Sequence, residues 1–443
     1  MTDERRRRTN SHDSQSHEDL ARARRRRARM RRRRRQRAIR AALLLVISII
    51  LVITGCVIAF KLHSSSKEKK LEAQQQAMAE QQQAYLDGLT AEQNTRAENK
   101  IHIVAVGDNV IHERIYESGI DDNGKYSYDH LYTHIKEDIE AADIAIVNQE
   151  SIFVEDHEDV SAYPEFGSPV EIGDALVEAG FDVVEHASNH TFDKGTSAIS
   201  DTLSYWKTNH PDIKVLGIHD SQESADTITT ITCKGVTFSL LNYTSMLNGD
   251  EEKDFPAYMI DMLTQDKIAE DAEKAKEAGD ITIALLHIGT EYADTPSAEQ
   301  KEYLNFLLSA GVDITICSHP HVLQNFETLK DENGNEMLVY YSLGNFISTQ
   351  KDPDCLLGGM ADITLTKDTE TGEFSVTDAS LVPLVTHYDY DENEYTVYKL
   401  EDYTEELAAK HSIHKESEET FTLEWLNAKY KTTLKRNYNT LDN

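Results

Sequence analysis

The chain is poor in cysteine: of 443 residues only Cys56, Cys233, Cys317 and Cys355 carry thiols. Cys56 falls in a long apolar run, and the other three can form neither a disulfide framework nor, at their spacing, a zinc ribbon. Cys233 and Cys317 sit in apolar stretches and read as small core residues. Cation is scarce as well, except at one end. Residues 1–40 hold 17 Arg against five Asp or Glu, a net of +12, which leaves the remainder at −45 within a total of −33. Proline is missing and glycine nearly so from Ser64–Asn99, a Gln-, Glu-, Ala- and Lys-rich segment with little apolar periodicity. It reads as a solvated helical stalk that buries no core. The acidic run Asp389-Tyr390-Asp391-Glu392-Asn393-Glu394 lacks the spacing of a calcium loop.

An arginine block invites a nucleic-acid reading. The adjoining residues argue otherwise. Ala41–Phe60 contains no charged residue and is as long as one membrane-spanning helix. Arginines just before a span remain on the cytoplasmic side, so the expectation is an N-terminus inside and the acidic bulk outside, with no nucleic-acid partner. The run is too long for a cleaved signal. Ile53-Thr54-Gly55-Cys56 resembles a lipoprotein processing site, but Val57-Ile58-Ala59-Phe60 stays apolar where such a site turns polar. The sequence therefore predicts a single-pass cell-membrane protein with an extracellular C-terminal domain on a Gram-positive-type surface. The expected order is a basic tail (1–40), an anchor (41–61), a stalk (62–100), a domain (101–349) and further strands and helices (350–443).

From Ile101 onward, apolar β-branched runs alternate with helical spacing. Strands are expected at Ile101–Val106, Ile144–Val147, Phe181–Glu185, Ile281–Leu286 and Ile314–Cys317, with helices such as Pro169–Ala179 and Ala298–Ala310 ending at glycine. Ile228–Leu241 reads as a hairpin turning at Lys234-Gly235, and Asn333-Gly334 marks another. This alternation predicts an α/β domain. Polar residues gather where the strands stop. Asp108, then Asn148 and Glu150, then Asn189 and His190, then His287, then His319 and His321 all lie at or just past C-terminal strand ends. Ligand sites in α/β sheets form along that edge. His319 and His321, two apart in an extended segment, would point the same way.

Carboxylate, amide and imidazole donors without thiolate suit Mn, Fe or Zn, as one ion or a dinuclear pair. The metal ligands expected are Asp108, Asn148, Glu150, Asn189, His287, His319 and His321. The simpler alternatives are a helix-capping Asp108, a turn-holding Asn148 and a hydrogen-bonded core-edge His287. His190 could protonate a leaving group.

Gly107-Asp108, Asn148-Gln149-Glu150, Ser188-Asn189-His190 with Asp193 and Gly195, His287-Ile288-Gly289-Thr290-Glu291-Tyr292, Ser318-His319-Pro320-His321 and Ser342-Leu343-Gly344-Asn345-Phe346 come one after another in order. Over Ile101–Thr349 this series resembles the CapA-type capsule-synthesis family, of poly-gamma-glutamate biosynthesis, which is similar to calcineurin-like metallophosphoesterases. The resemblance implies an α/β/β/α sandwich and a role in synthesis, export or attachment of an anionic surface polymer, alongside subunits of a membrane synthase. It implies catalytic roles for His190, Asp193 and Glu150, and substrate contacts from Glu291, Tyr292 and Asn345. Departures are visible. Val110 stands where a metallophosphoesterase has the histidine of Asp-x-His, and Asn148-Gln149-Glu150 replaces its Gly-Asp-x-x-Asp. These leave three readings open: a metal-dependent hydrolase or transferase, a non-catalytic scaffold or polymer-binding subunit, and a broad phosphoesterase.

Overall fold

The computed structural model describes residues 99–249 and 254–438, together with Met78. The basic tail, the apolar run 41–61 and nearly all of the expected stalk lie outside the described residues. Lys100 is not stalk: it opens the first strand. The single-pass placement at a cell membrane must be corrected. Among the described residues no helix is long and apolar enough to cross a membrane. A span takes about 20 apolar residues, whereas the longest described helix, Gly195–Asn209, has 15 and mixes polar with apolar side chains.

Two mixed sheets form the domain. The first runs Glu394–Lys399, Phe374–Asp389, Leu357–Lys367, Lys100–Asn109, Ile144–Asn148, Val183–Glu185, Lys214–Leu216, with Asn345–Ile347 paired beside the strand that ends at Asn109. Its four strands from Lys100–Asn109 to Lys214–Leu216 are mutually parallel. The second runs Phe326–Lys330, Glu336–Tyr340, Ile314–Ser318, Ile281–His287, Val236–Thr244, Thr229–Cys233, with parallel pairing among its four central strands. Period-2 alternation divides the second sheet between two cores. Phe238, Leu240, Ile283, Leu285, Ile316 and Leu338 share one core with Ile103, Ile146 and Ile363 of the first sheet. Tyr243, Ala284, Leu286, Cys317 and Val339 face the other way, onto Ile268 and Ala275 of helix Gln265–Ala278 and Leu304 and Leu307 of helix Ala298–Ala310. Ile172, Leu176 and Ala179 of helix Glu171–Ala179 join the core of the first sheet.

Local chemistry explains the element ends. Gly180 and Gly311 close their helices at φ 102° and 81°, where a side chain would be strained. Gly279 also succeeds a helix, but with extended backbone (φ −147°). Both hairpins turn where expected, with Gly235 and Gly334 at positive φ. The acidic run at 389–394 is a hairpin turn as well, since Glu394–Lys399 pairs with Phe374–Asp389 and Asn393 takes φ 53°.

Candidate functional site

Parallel pairing brings the strand ends to one edge, and the facing of the sheets brings two such edges together. The first sheet delivers Asp108 and Asn148, which are register partners, and the loops beyond it deliver Glu150, Asn189 and His190. The second sheet delivers His287, whose strand partner is Ser318, and then His319 and His321. All are buried. The two strands around Gly107 approach so closely that a Cβ there would lie 1.9 Å from the Gly344 carbonyl oxygen. Only glycine permits the Asp108 backbone N–H to donate to that oxygen at 2.9 Å.

The histidine pair converges by a route other than pleating. The strand stops at Ser318, and His319 and His321 both take left-handed backbone, at φ 98° and 60°, on either side of Pro320. Such conformations are costly for non-glycine residues and concentrate at functional sites. Here they place the His319 backbone N–H on Asp108 at 3.3 Å and His321 Nδ1 3.0 Å from Asp108 Oδ2.

Glu150 is the centre of the cluster. Its side chain is fully buried, and neither carboxylate oxygen has a hydrogen-bond partner. Oε1 lies 3.8 Å from His190 Nε2, 3.8 Å from His321 Nε2 and 4.0 Å from His287 Nε2. These gaps are too long for hydrogen bonds. They match donors that share an ion, each about 2.0–2.2 Å from it. Asp108, Glu150 and His287 can bring one ligand atom each within 4.8 Å of one another. Asn148 Oδ1 is likewise buried and unpartnered, while its Nδ2 donates to Asp108 at 2.8 Å and to Ser318 Oγ at 3.1 Å. A buried carboxylate left without donors is costly. The residues present therefore fit a divalent cation.

The electrostatics arise from this crowding. Burial pushes the Glu150 carboxyl well above its ordinary range, and Asp108 adds to the effect against the pull of His321. For His321, burial opposes the charged ring, but Glu150 and Asp108 outweigh it and hold the group at about 9. His287 is driven well below its usual value by burial and then by His319, and His319 falls to about 4 by burial and then by His321.

The remaining expected residues take distinct places. Asn189 Oδ1 lies 2.8 Å from His287 Nε2, and His319 Nδ1 lies 3.1 Å from that nitrogen. Asp193 is behind His190, with Oδ2 at 2.6 Å from its Nδ1, and the same oxygen accepts from the Phe166 backbone at 2.7 Å. Asn345 does not face the cavity. Its Oδ1 lies 3.0 Å from His321 Nδ1, and its amide donates to Ser348, Gln350 and Cys355, so it positions the imidazole from behind. Glu291 and Tyr292 line a cavity of about 470 Å³ in front of the cluster, together with Val110, His112, Tyr163, Glu165, Phe166, His190 and His321.

Sequence reasoning missed Ser318, whose Oγ lies 3.1 Å from His287 Nδ1, and Asn248, whose amide nitrogen sits 3.0 Å from His190 Nδ1. Asn248 comes shortly after strand Val236–Thr244, so the strand-end rule already pointed there. His112 has no comparable signal; it is a loop residue four positions past Asp108.

Residues 102–350 match the family described as bacterial capsule synthesis protein PGA_cap. The capsule biosynthesis protein CapA of Bacillus anthracis is 26% identical over 265 residues, covering 58% of this chain and 61% of that protein. The PGA biosynthesis protein CapA of Bacillus subtilis (strain 168) is 28% identical over 211 residues, covering 46% of this chain and 51% of that protein. The chain thus spans between half and two thirds of these curated relatives. Among solved structures, Haemophilus influenzae NAD nucleotidase (NadN) aligns with a TM-score of 0.39 at 12% identity, over 75% of this chain and 60% of the other. A likeness that weak assigns no chemistry. The match over 102–350 covers more than half of the sequence, and the chain belongs to the bacterial capsule synthesis protein PGA_cap family.

Proposed function

We propose that this chain acts in the synthesis or attachment of an anionic capsule polymer of poly-gamma-glutamate type, and that its strand-end cluster is a divalent-metal centre for hydrolysis or transfer. The observation that carries the reading is Glu150, a buried carboxylate without a hydrogen bond and ringed by three imidazole nitrogens. Asp108, Glu150 and His287 would hold the ion, with Asn148, Asn189, His319 and His321 completing its surroundings. When bound, such an ion supplies a Lewis acid and an acidified water. Asp193 fixes the His190 ring so that Nε2 turns toward Glu150 and the cavity, where it can hold or hand over a proton at the reacting group. Phe166, edge-on to His190 at 4.6 Å between ring centres, screens that contact from solvent. The two stacked sheets, with helices on their outer faces, support the finer reading of a metallophosphoesterase-like α/β/β/α sandwich.

Elemental analysis of the purified full-length protein tests the centre. Wild type is expected to retain a divalent transition metal, and Glu150→Gln and His321→Ala to lose it while keeping wild-type circular dichroism. Unchanged metal content in both variants would sink the proposal.

A further inference from the structure

The cavity in front of the cluster has an unusual lining for a site assigned to polyanions. Among the described residues that line it there is neither lysine nor arginine. Of its four carboxylates, Glu150 belongs to the proposed metal centre and Asp193 holds His190. Glu165 and Glu291 remain. Both are exposed, at the opening, and neither has an ion-pair partner among the described residues. Tyr163 and Tyr292 stand beside them. At 78% and 53% exposure, they are the two most exposed large hydrophobic side chains among residues 99–438. Tyr292 is held there by a left-handed backbone (φ 63°) whose N–H donates to the Pro320 carbonyl at 2.8 Å. Burial and the Glu291 carboxylate push its phenol up to about 12, with Tyr163 and Glu150 adding to the effect, so the ring stays neutral.

Exposed aromatic rings next to unpaired carboxylates, with neither lysine nor arginine in the lining and the charged His321 ring held on the floor by Asp108 and Glu150, form an environment for a positive group. A phosphate or carboxylate entering by this route meets repulsion until it reaches a bound metal. An ammonium meets two opposite charges and two ring faces. We propose that the cavity mouth, formed by Tyr163, Glu165, Glu291 and Tyr292, is a subsite for an amine-bearing portion of the substrate. This rests on the metal-centred reading of the cavity floor and names what its mouth selects.

The test uses three probes of one shape: cyclohexylamine, cyclohexanol and cyclohexanecarboxylate. Each is titrated at pH 7 into full-length protein, with binding read by saturation-transfer NMR. The amine is expected to bind about tenfold more tightly than the alcohol; the carboxylate, which could ligate a bound metal, is compared on chelator-treated protein, where it is expected to bind least. Glu165→Gln/Glu291→Gln should bring the amine down to the alcohol, and Tyr163→Ala should weaken both. Equal binding of amine and alcohol, tighter binding of the carboxylate to the chelator-treated protein, or an amine preference that survives the double variant would overturn the proposal. Metal content measured on the same samples separates the two claims. Loss of the metal reading leaves the probe ranking to decide the mouth, and the reverse also holds.

Discussion

Val110 is buried where an Asp-x-His pattern would place an imidazole, and it meets the cavity as a plain apolar wall. The imidazoles beside Asp108 and Glu150 come instead mainly from the second sheet, through His287, His319 and His321. Other buried histidines serve the fold. His186 accepts from Trp206 Nε1 at 2.9 Å, its Nδ1 has no partner, and burial pushes it down to about 3. The folded state keeps this ring neutral, whereas the unfolded chain protonates it near its ordinary value of about 6.5. The unfolded state therefore binds more protons below that value, and stability falls as pH drops from about 6.5 toward 3. Replacing His186 with Gln keeps an acceptor for Trp206 and removes the titration. Wild type should lose about 2 kcal/mol more than this variant between pH 7 and pH 5, read from urea midpoints. Equal losses would mean the ring titrates alike in both states. At this scale the sequence was informative about donors and weak about support. Asp108, Glu150 and the histidines are chemically conspicuous at strand ends, whereas Ser318 and Asn345 matter only through contacts that cross between distant segments.

Elements are set by their ends. Helix Ala298–Ala310 starts at Ser297, whose hydroxyl accepts from the Gln300 backbone at 3.0 Å, and stops at left-handed Gly311. Ser297→Ala should cost about 1 kcal/mol in denaturant unfolding and leave metal content unchanged, because the helix lies on the outer face of its sheet. A loss of metal would tie this cap to the site. The glycine helix stops, the Asn-Gly and Lys-Gly turns and the apolar runs were legible, because each depends on a few adjacent residues. Strand Glu394–Lys399 was not. Its acidic approach reads as loop, and it becomes a strand only because Phe374–Asp389 offers an edge to pair with. The backbone of His319, Pro320 and His321 was likewise hidden, since an extended reading gives the same convergence by the wrong geometry. The opening of the cavity is braced from far along the chain. Arg436 pairs with Asp294, and Tyr438 donates to the Asp294 carbonyl at 3.3 Å, two residues beyond Tyr292.

For the whole molecule, acidity is the governing fact. The formal charge is −33 with 78 Asp and Glu, and the buried cluster includes a Glu150 carboxylate that no hydrogen bond offsets. A cation that binds the folded state alone stabilises it by mass action, about 2.7 kcal/mol at a hundredfold excess over Kd. Dialysis against a chelator should therefore lower the melting temperature of wild type, with recovery on adding Mn²⁺. Glu150→Gln should be indifferent to both treatments. An unresponsive wild type would mean that the carboxylates are tolerated without an ion.

The polar side chains of the cluster are divided between the two sheets, Asp108 and Glu150 from one and His287, His319 and His321 from the other. An ion held by both would act as a rivet across a seam, and its affinity would gauge how squarely the sheets sit on one another. Small slips in the shared core at Leu240, Ile283 or Ile363 would then register as weakened metal binding before they register as unfolding. Metal retention would serve as a sensitive monitor of damage far from the site.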